Sequence, residues 1–298
     1  MPSEKTGVAF RPKVISPNDI VKFAKVIDQS GVANIFVNDS ALGLDCLDIC
    51  AAILAVSKGV YAGSGVIRVL EHDEKLLLRR IQTLQSLSGN RFVLGIGTGS
   101  PGSNPREAIN MMLERLSSLR KNYSREGGTL FPKTFIATLK IGIARKVAGK
   151  SEGILLNFCS PKYAEKLVKD YRESFRGGTE LACYLKVFFS KSDEVADRLL
   201  IEEFSGYATL GQYREMFELD GIVGDIKSAH ESLSGHPEVP SSLLQISLAN
   251  PSNSELKQYV SSFREVGISL PCIYPYFSAH DDFDFRLETM RSIASLSS

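Results

Sequence analysis

The chain has 298 residues, 43% hydrophobic and 23% charged, with a formal net charge of +1. Such a composition fits a soluble globular protein. It excludes the strong basic excess of a nucleic-acid binder, and no apolar run is long enough to span a bilayer.

In chain order, short β-rich runs alternate with amphipathic helical stretches. The candidate strands are Gly7–Phe10, Asn34–Asn38, Val60–Val66, Phe92–Gly97, Thr134–Ala137, Gly153–Asn157, Leu181–Phe189 and Cys272–Phe277. Most are near-continuous apolar runs, which suits strands covered on both faces of a parallel sheet. Helix starts are marked between them. Ser16-Pro17-Asn18-Asp19 supplies a cap, a first-turn proline and an acid, and Ile20, Phe23, Ala24 and Ile27 then recur at helical spacing until Gly31. Ser160-Pro161 repeats the device before Tyr163, Ala164, Leu167 and Val168, and Ser252-x-x-Glu255 is a capping box. Eight strand–helix units predict a closed (β/α)8 TIM barrel formed by one domain over residues 1–298, with a doubly wound open sheet as the alternative. The stretch from Ser190 to Leu270 is a long helical insertion before the last strand, with helices over Asp193–Ser205 and Leu210–Leu219. On a barrel it would form a lid or substrate wall.

The segment RFVLGIGTGSPGSNP is a strand that ends in Gly95, Gly97, Gly99 and Gly102. Glycines at a strand end permit close backbone approach, either to a phosphate or flat ring or simply within a sharp turn. Asn104 can cap the helix that follows. The five cysteines are odd in number and lie in apolar contexts, so buried thiols in a reducing cytoplasm are expected. MPSEKTGVAF lacks the apolar core of a signal peptide, and a cytoplasmic location follows as the expectation. The histidines, His72, His230, His236 and His280, are expected at the surface.

NIFVNDS, GVYAGSGVIRV, LSGNRFVLGIGTG, FIATLKIGIARKVAGKSEGILLN and ISLANPSNSELKQYVSSFREVGI together cover most of the chain. In order and spacing they resemble the bacterial-luciferase-like superfamily, particularly the deazaflavin-dependent branch that includes methylenetetrahydromethanopterin reductase. The resemblance implies an oxidoreductase that binds a flavin-type cofactor at the C-terminal mouth of the barrel. It places a cis peptide at Gly65-Val66 behind the ring, Gly97, Thr98 and Gly99 beside the ring or its side chain, and the phosphate near Ala137, Thr138 and Lys140, unless Lys140 is simply a solvated helix lysine. Asp39 and Arg68 are the implied catalytic pair. Asp39 would bond the ring or substrate or move a proton, or else cap the next helix, and Arg68 would hold an anionic group or a reduced ring, or else form a plain surface salt bridge.

The chain departs from the family's dehydrogenases at Ser40, where they carry His, and at Ser100, where they carry Glu. Coenzyme F420 is the expected cofactor and hydride transfer the expected reaction, with FMN and monooxygenation as the alternative. A second alternative is a catalytically silent barrel whose mouth is plugged by side chains such as Phe188 or Tyr276. The implied partners are a small-molecule substrate and a second copy of the chain. The homodimer face would lie on the helices that carry Leu44, Leu47, Ile49, Ile53 and Leu54, unless those residues only cover the barrel. No nucleic acid, membrane or metal is expected.

Overall fold

The computed structural model describes residues 5–39, 43–99, 104–128, 130–147, 149–174, 179–211 and 213–296. Ser40, Ser100 and Gly102, singled out above, lie outside the described residues.

The strands are β1 (Gly7–Phe10), β2 (Asn34–Val37), β3 (Tyr61–Ser64), β4 (Ile67–Arg68), β5 (Phe92–Gly97), β6 (Lys133–Ala137), β7 (Gly153–Leu156), β8 (Glu180–Phe189), β9 (Leu248–Ala249) and β10 (Leu270–Phe277). All pairings are parallel, and β10 pairs with both β1 and β8, so the sheet closes into an eight-stranded barrel. Two short strands extend this frame. After a break, β4 continues the line of β3 against β5, with Ile67 opposite Ile96 and Arg68 opposite Gly97. Outside the closed circuit, β9 adds to the end of β8.

The helices are α1 (Pro17–Ile27), α2 (Cys46–Val56), α3 (Glu74–Ser88), α4 (Pro105–Arg125), α5 (Ile141–Val147), α6 (Pro161–Ser174), α7 (Asp193–Ala208), α8 (Arg214–Asp220), α9 (Val223–Ser232), α10 (Asn253–Glu265) and α11 (Phe283–Ser295). Their starts follow the local chemistry of the sequence. Ser16 accepts from the Asp19 amide, Asn104 from Glu107 and Ser160 from Tyr163. Ser252 and Glu255 form the reciprocal capping box. Ile20, Phe23, Ala24 and Ile27 turn the apolar face of α1 to the barrel and are fully buried.

Side chains fill the barrel. Phe36, Phe135 and Tyr184 meet inside it, with ring centroids 5.6 Å apart for Phe36–Phe135 and 6.0 Å for Phe36–Tyr184. Three aromatic rings at one level need a small residue beside them: a Cβ on Gly153 would lie 2.3 Å from the Phe135 ring. The apolar residues of α2 serve the same core. Leu47, Ile49, Ile53 and Leu54 are buried within the chain, and only Leu44, just before the helix, is exposed. All five cysteines are buried and unpaired by disulfides, and burial pushes the Cys46, Cys50 and Cys272 thiols up. Among the described residues, no helix is long and apolar enough to cross a membrane, and no His/Cys/Asp/Glu group is arranged to hold a metal.

Candidate functional site at the barrel mouth

The site residues expected from the sequence lie at or just after the C-terminal ends of β2 to β6. The Gly65–Val66 peptide bond is cis. The Gly65 carbonyl accepts from Tyr184 Oη at 3.2 Å and from Asn38 Nδ2 at 3.3 Å. Ser64 Oγ donates to Gly95 O at 2.8 Å and accepts from Gly95 N at 3.0 Å, which locks β3 to β5 just below the break.

Close packing around the break accounts for the glycines. A Cβ on Gly65 would stand 1.8 Å from Tyr184 Oη, one on Gly95 2.0 Å from Ser64 O, and one on Gly97 2.9 Å from Val66 Cγ2. Gly99 has φ +74, and a Cβ there would press on the Arg68 side chain at 3.0 Å. The glycines are therefore needed by the protein's own packing. The surface they leave is nonetheless shaped for a flat group: Val66, Thr98 and Ala137 remain partly exposed around a floor of backbone.

At the rim, Arg68 Nε contacts Asp39 Oδ2 at 3.3 Å and Arg68 Nη1 contacts Glu71 Oε2 at 3.2 Å. Asp39 does not cap the next helix, since Asp45 holds that position on α2. Asp39 and Arg68 are thus one ion pair, mostly withdrawn from solvent, with Glu71 as a third member.

The expected phosphate site divides into used and unused groups. Thr138 Oγ1 accepts from Lys140 N at 3.1 Å and contacts Lys140 O at 3.3 Å, so the hydroxyl closes its own turn. Lys140 sits just ahead of α5, where its carbonyl accepts from the Ile143 and Ala144 amides. Its side chain is exposed and forms no ion pair among the described residues.

The opposite sector of the mouth holds residues the sequence reading missed. Lys186 of β8 is fully buried. Its Nζ donates to Glu203 Oε1 at 2.5 Å, Tyr207 Oη at 2.9 Å and Tyr276 Oη at 2.9 Å. The rings of Phe158, Tyr207, Tyr274 and Tyr276 surround it at 4.1–5.4 Å. Burial alone would raise the Glu203 carboxyl, but Lys186, the Tyr276 hydroxyl and Arg11 outweigh it and hold the group below its ordinary value. Asn157, at the end of β7, donates to Tyr207 Oη at 3.2 Å and Tyr213 Oη at 2.5 Å. Glu203 and Tyr207 belong to α7, so the insertion does form a wall of the mouth. Phe188 and Tyr276 are buried in this sector, while the β3–β6 floor stays accessible.

The profile of the luciferase-like monooxygenase family matches residues 3–238. The chain belongs to that family. Its members are enzymes, and the protein is an oxidoreductase of this luciferase-like kind. Among solved structures, the chain is similar to the coenzyme F420-dependent tetrahydromethanopterin reductase of Methanopyrus kandleri. The TM-score is 0.68 at 12% identity, over 97% of this chain and 96% of the other. An F420-dependent secondary alcohol dehydrogenase in complex with an F420–acetone adduct gives 0.72 at 12%, over 97% and 98%. The oxygenating constituent of 3,6-diketocamphane monooxygenase from Pseudomonas putida, in complex with FMN, gives 0.69 at 15%, over 97% of each chain. These likenesses establish the luciferase-like barrel. No curated protein sequence is a significant match.

Proposed function

We propose that the protein transfers hydride between a small organic substrate and coenzyme F420 held at the barrel mouth. The observation that carries this reading is the partly exposed floor of Val66, Thr98 and Ala137, poor in side chains, with the Asp39–Arg68 pair at its rim. A flat ring fits such a floor, and the likeness of the sequence segments to the reductase branch favours the deazaflavin over FMN. When bound, a 5-deazaflavin exchanges two electrons as hydride at ring carbon five and does not activate oxygen.

The chain's own residues supply position and charge. Val66 and Ala137 support the ring. Asp39 fixes the direction of Arg68, and the guanidinium places positive charge beside the ring or substrate. Lys140 and the start of α5 face the phosphate, with Thr138 shaping the turn that presents them. The α7 wall restricts water on the far side.

Fluorescence titration with F420 and, separately, with FMN tests the reading. Tight binding of F420 alone supports it. Tight binding of FMN alone replaces it with monooxygenation, and binding of neither replaces it with a catalytically silent barrel. In the active enzyme, Asp39→Ala should cut turnover at least tenfold while the unfolding midpoint moves little. Unchanged turnover would remove Asp39 from the site.

A further inference from the structure

The two ion clusters at the mouth carry opposite imbalances. Around Arg68 two carboxylates, Asp39 and Glu71, face one guanidinium. Around Glu203 two cations, Lys186 and Arg11, face one carboxylate. The second cluster therefore has one positive charge in excess, against walls of aromatic rings where charge is poorly screened.

Within it the two cations differ. Lys186 has three donors and three acceptors, Glu203, Tyr207 and Tyr276, and is saturated. Arg11, the first residue after β1, makes one contact: Nη1 to Glu203 Oε2 at 3.4 Å. Of the five N–H donors of a guanidinium, the rest have no partner among the described residues. Its side chain is 37% exposed, and Asn157 and Tyr207 share the same partly exposed side of the mouth.

We infer that Arg11, backed by Lys186, is the anchor for an anionic group of the substrate, a carboxylate or a phosphate monoester. The planar fork of Arg11 matches either group in bidentate fashion. The bound anion removes the excess charge of the cluster without competing for Glu203, which Lys186 and Tyr276 already hold. Assigning the anion to the substrate rests on the proposed oxidoreductase site. The alternative source is an anionic group of the cofactor itself.

Equilibrium dialysis of the full-length protein without cofactor, using radiolabelled pyruvate and inorganic phosphate, tests this. Saturable binding of pyruvate with one site per chain is expected, and inorganic phosphate should displace it. Arg11→Gln should weaken pyruvate binding about tenfold or more. Arg11→Lys should fall between, and Lys257→Gln, on the exposed face of α10, should leave it unchanged. Unfolding midpoints confirm that the variants are folded. F420 titration of Arg11→Gln should give the wild-type dissociation constant.

Absence of saturable pyruvate binding, or wild-type binding by Arg11→Gln, overturns the inference. Loss of F420 affinity in Arg11→Gln, whether or not the small anions still bind, also overturns it, because the anchor then serves the cofactor. Since the dialysis needs no cofactor, failure of F420 to bind the wild type bears on the proposed function alone.

Discussion

The two ends of the barrel use arginine and carboxylate in opposite ways. At the N-terminal end, Arg91 spends its guanidinium on the fold: it donates to the carbonyls of Ser88, Val60, Leu54 and Ser57 and to Ser57 Oγ. Asp28, at the same end, accepts from the Lys58, Gly59 and Val60 amides. These groups tie the turn after α2 to its neighbours. At the C-terminal mouth, Arg11 and Arg68 face carboxylates, and Arg11 keeps unused donors. Charge at the bottom completes backbone hydrogen bonding. The charges of Arg11 and Arg68 at the mouth are balanced by other side chains instead, at the end where a barrel of this kind places its chemistry.

If this contrast is right, the largest effect on stability comes from the bottom. Arg91→Ala strips the hydrogen-bond donor from several partly buried carbonyls at once and should cost about 3–5 kcal/mol. Urea unfolding measures it, and a loss below about 1 kcal/mol would show that water replaces the guanidinium freely. Lys186→Met should cost somewhat less, about 2–4 kcal/mol, because it breaks a buried ion pair. Glu203 keeps Arg11 and Tyr276, so it is not left alone. A cost equal to that of Arg91→Ala would mean that the Lys186 cluster is as much a part of the fold as the bottom is.

Acid sharpens the comparison further. Glu203 at the mouth and Asp28 at the bottom both titrate below their ordinary values of 4.5 and 3.8. For Glu203, burial opposes the shift while Lys186 leads the groups that outweigh it. For Asp28, burial again opposes, and three amide donors and Arg91 outweigh it. A depressed carboxyl stabilises the fold above its unfolded value, and that stability is lost as pH falls through the folded one. Unfolding free energy should therefore drop below about pH 4.5, first through Glu203's window and then through Asp28's. Glu203→Gln should flatten the upper part of that decline and Asp28→Asn the lower part. If Glu203→Gln leaves the acid limb unchanged, the carboxylate is not stabilised by its cations.

The frame of the barrel was legible in the sequence because strand and helix periods are local. Every predicted strand exists, with ends displaced by a few residues. The last begins at Leu270, two residues ahead of the predicted Cys272, so β10 carries Pro271 as well as Pro275. β4 and β9 span two residues each, too short to show a period, and α9 is not among the helices predicted for the insertion. Asp39, Arg68 and the Gly65–Val66 break were reached by resemblance, and the structure gathers them at one rim. Lys186 was missed because it sits inside the apolar run Leu181–Phe189, where one lysine reads as an interruption. Two signals were present: Lys186 shares strand parity with Tyr184, and Glu203 and Tyr207 are four apart on one helix face. Joining them requires knowing that α7 folds back over β8, which no local pattern states.

The smallest expected effect lies at Lys140. Its side chain is exposed and forms no ion pair among the described residues, so Lys140→Gln should leave the unfolding midpoint within about 0.5 kcal/mol of wild type. Thr138 goes on capping its turn, because the bond it accepts comes from the backbone of residue 140. Only a ligand with a phosphate there would register the change. F420 affinity should then fall a few-fold at low ionic strength, and the difference should shrink at about 0.5 M salt, where an exposed charge is screened over a few ångströms. An exposed lysine that alters binding without altering stability is the mouth's counterpart to Arg91, which is expected to do the reverse. If Lys140→Gln lowers stability and leaves F420 affinity untouched, the phosphate lies elsewhere on the mouth, and the start of α5 belongs with the scaffold.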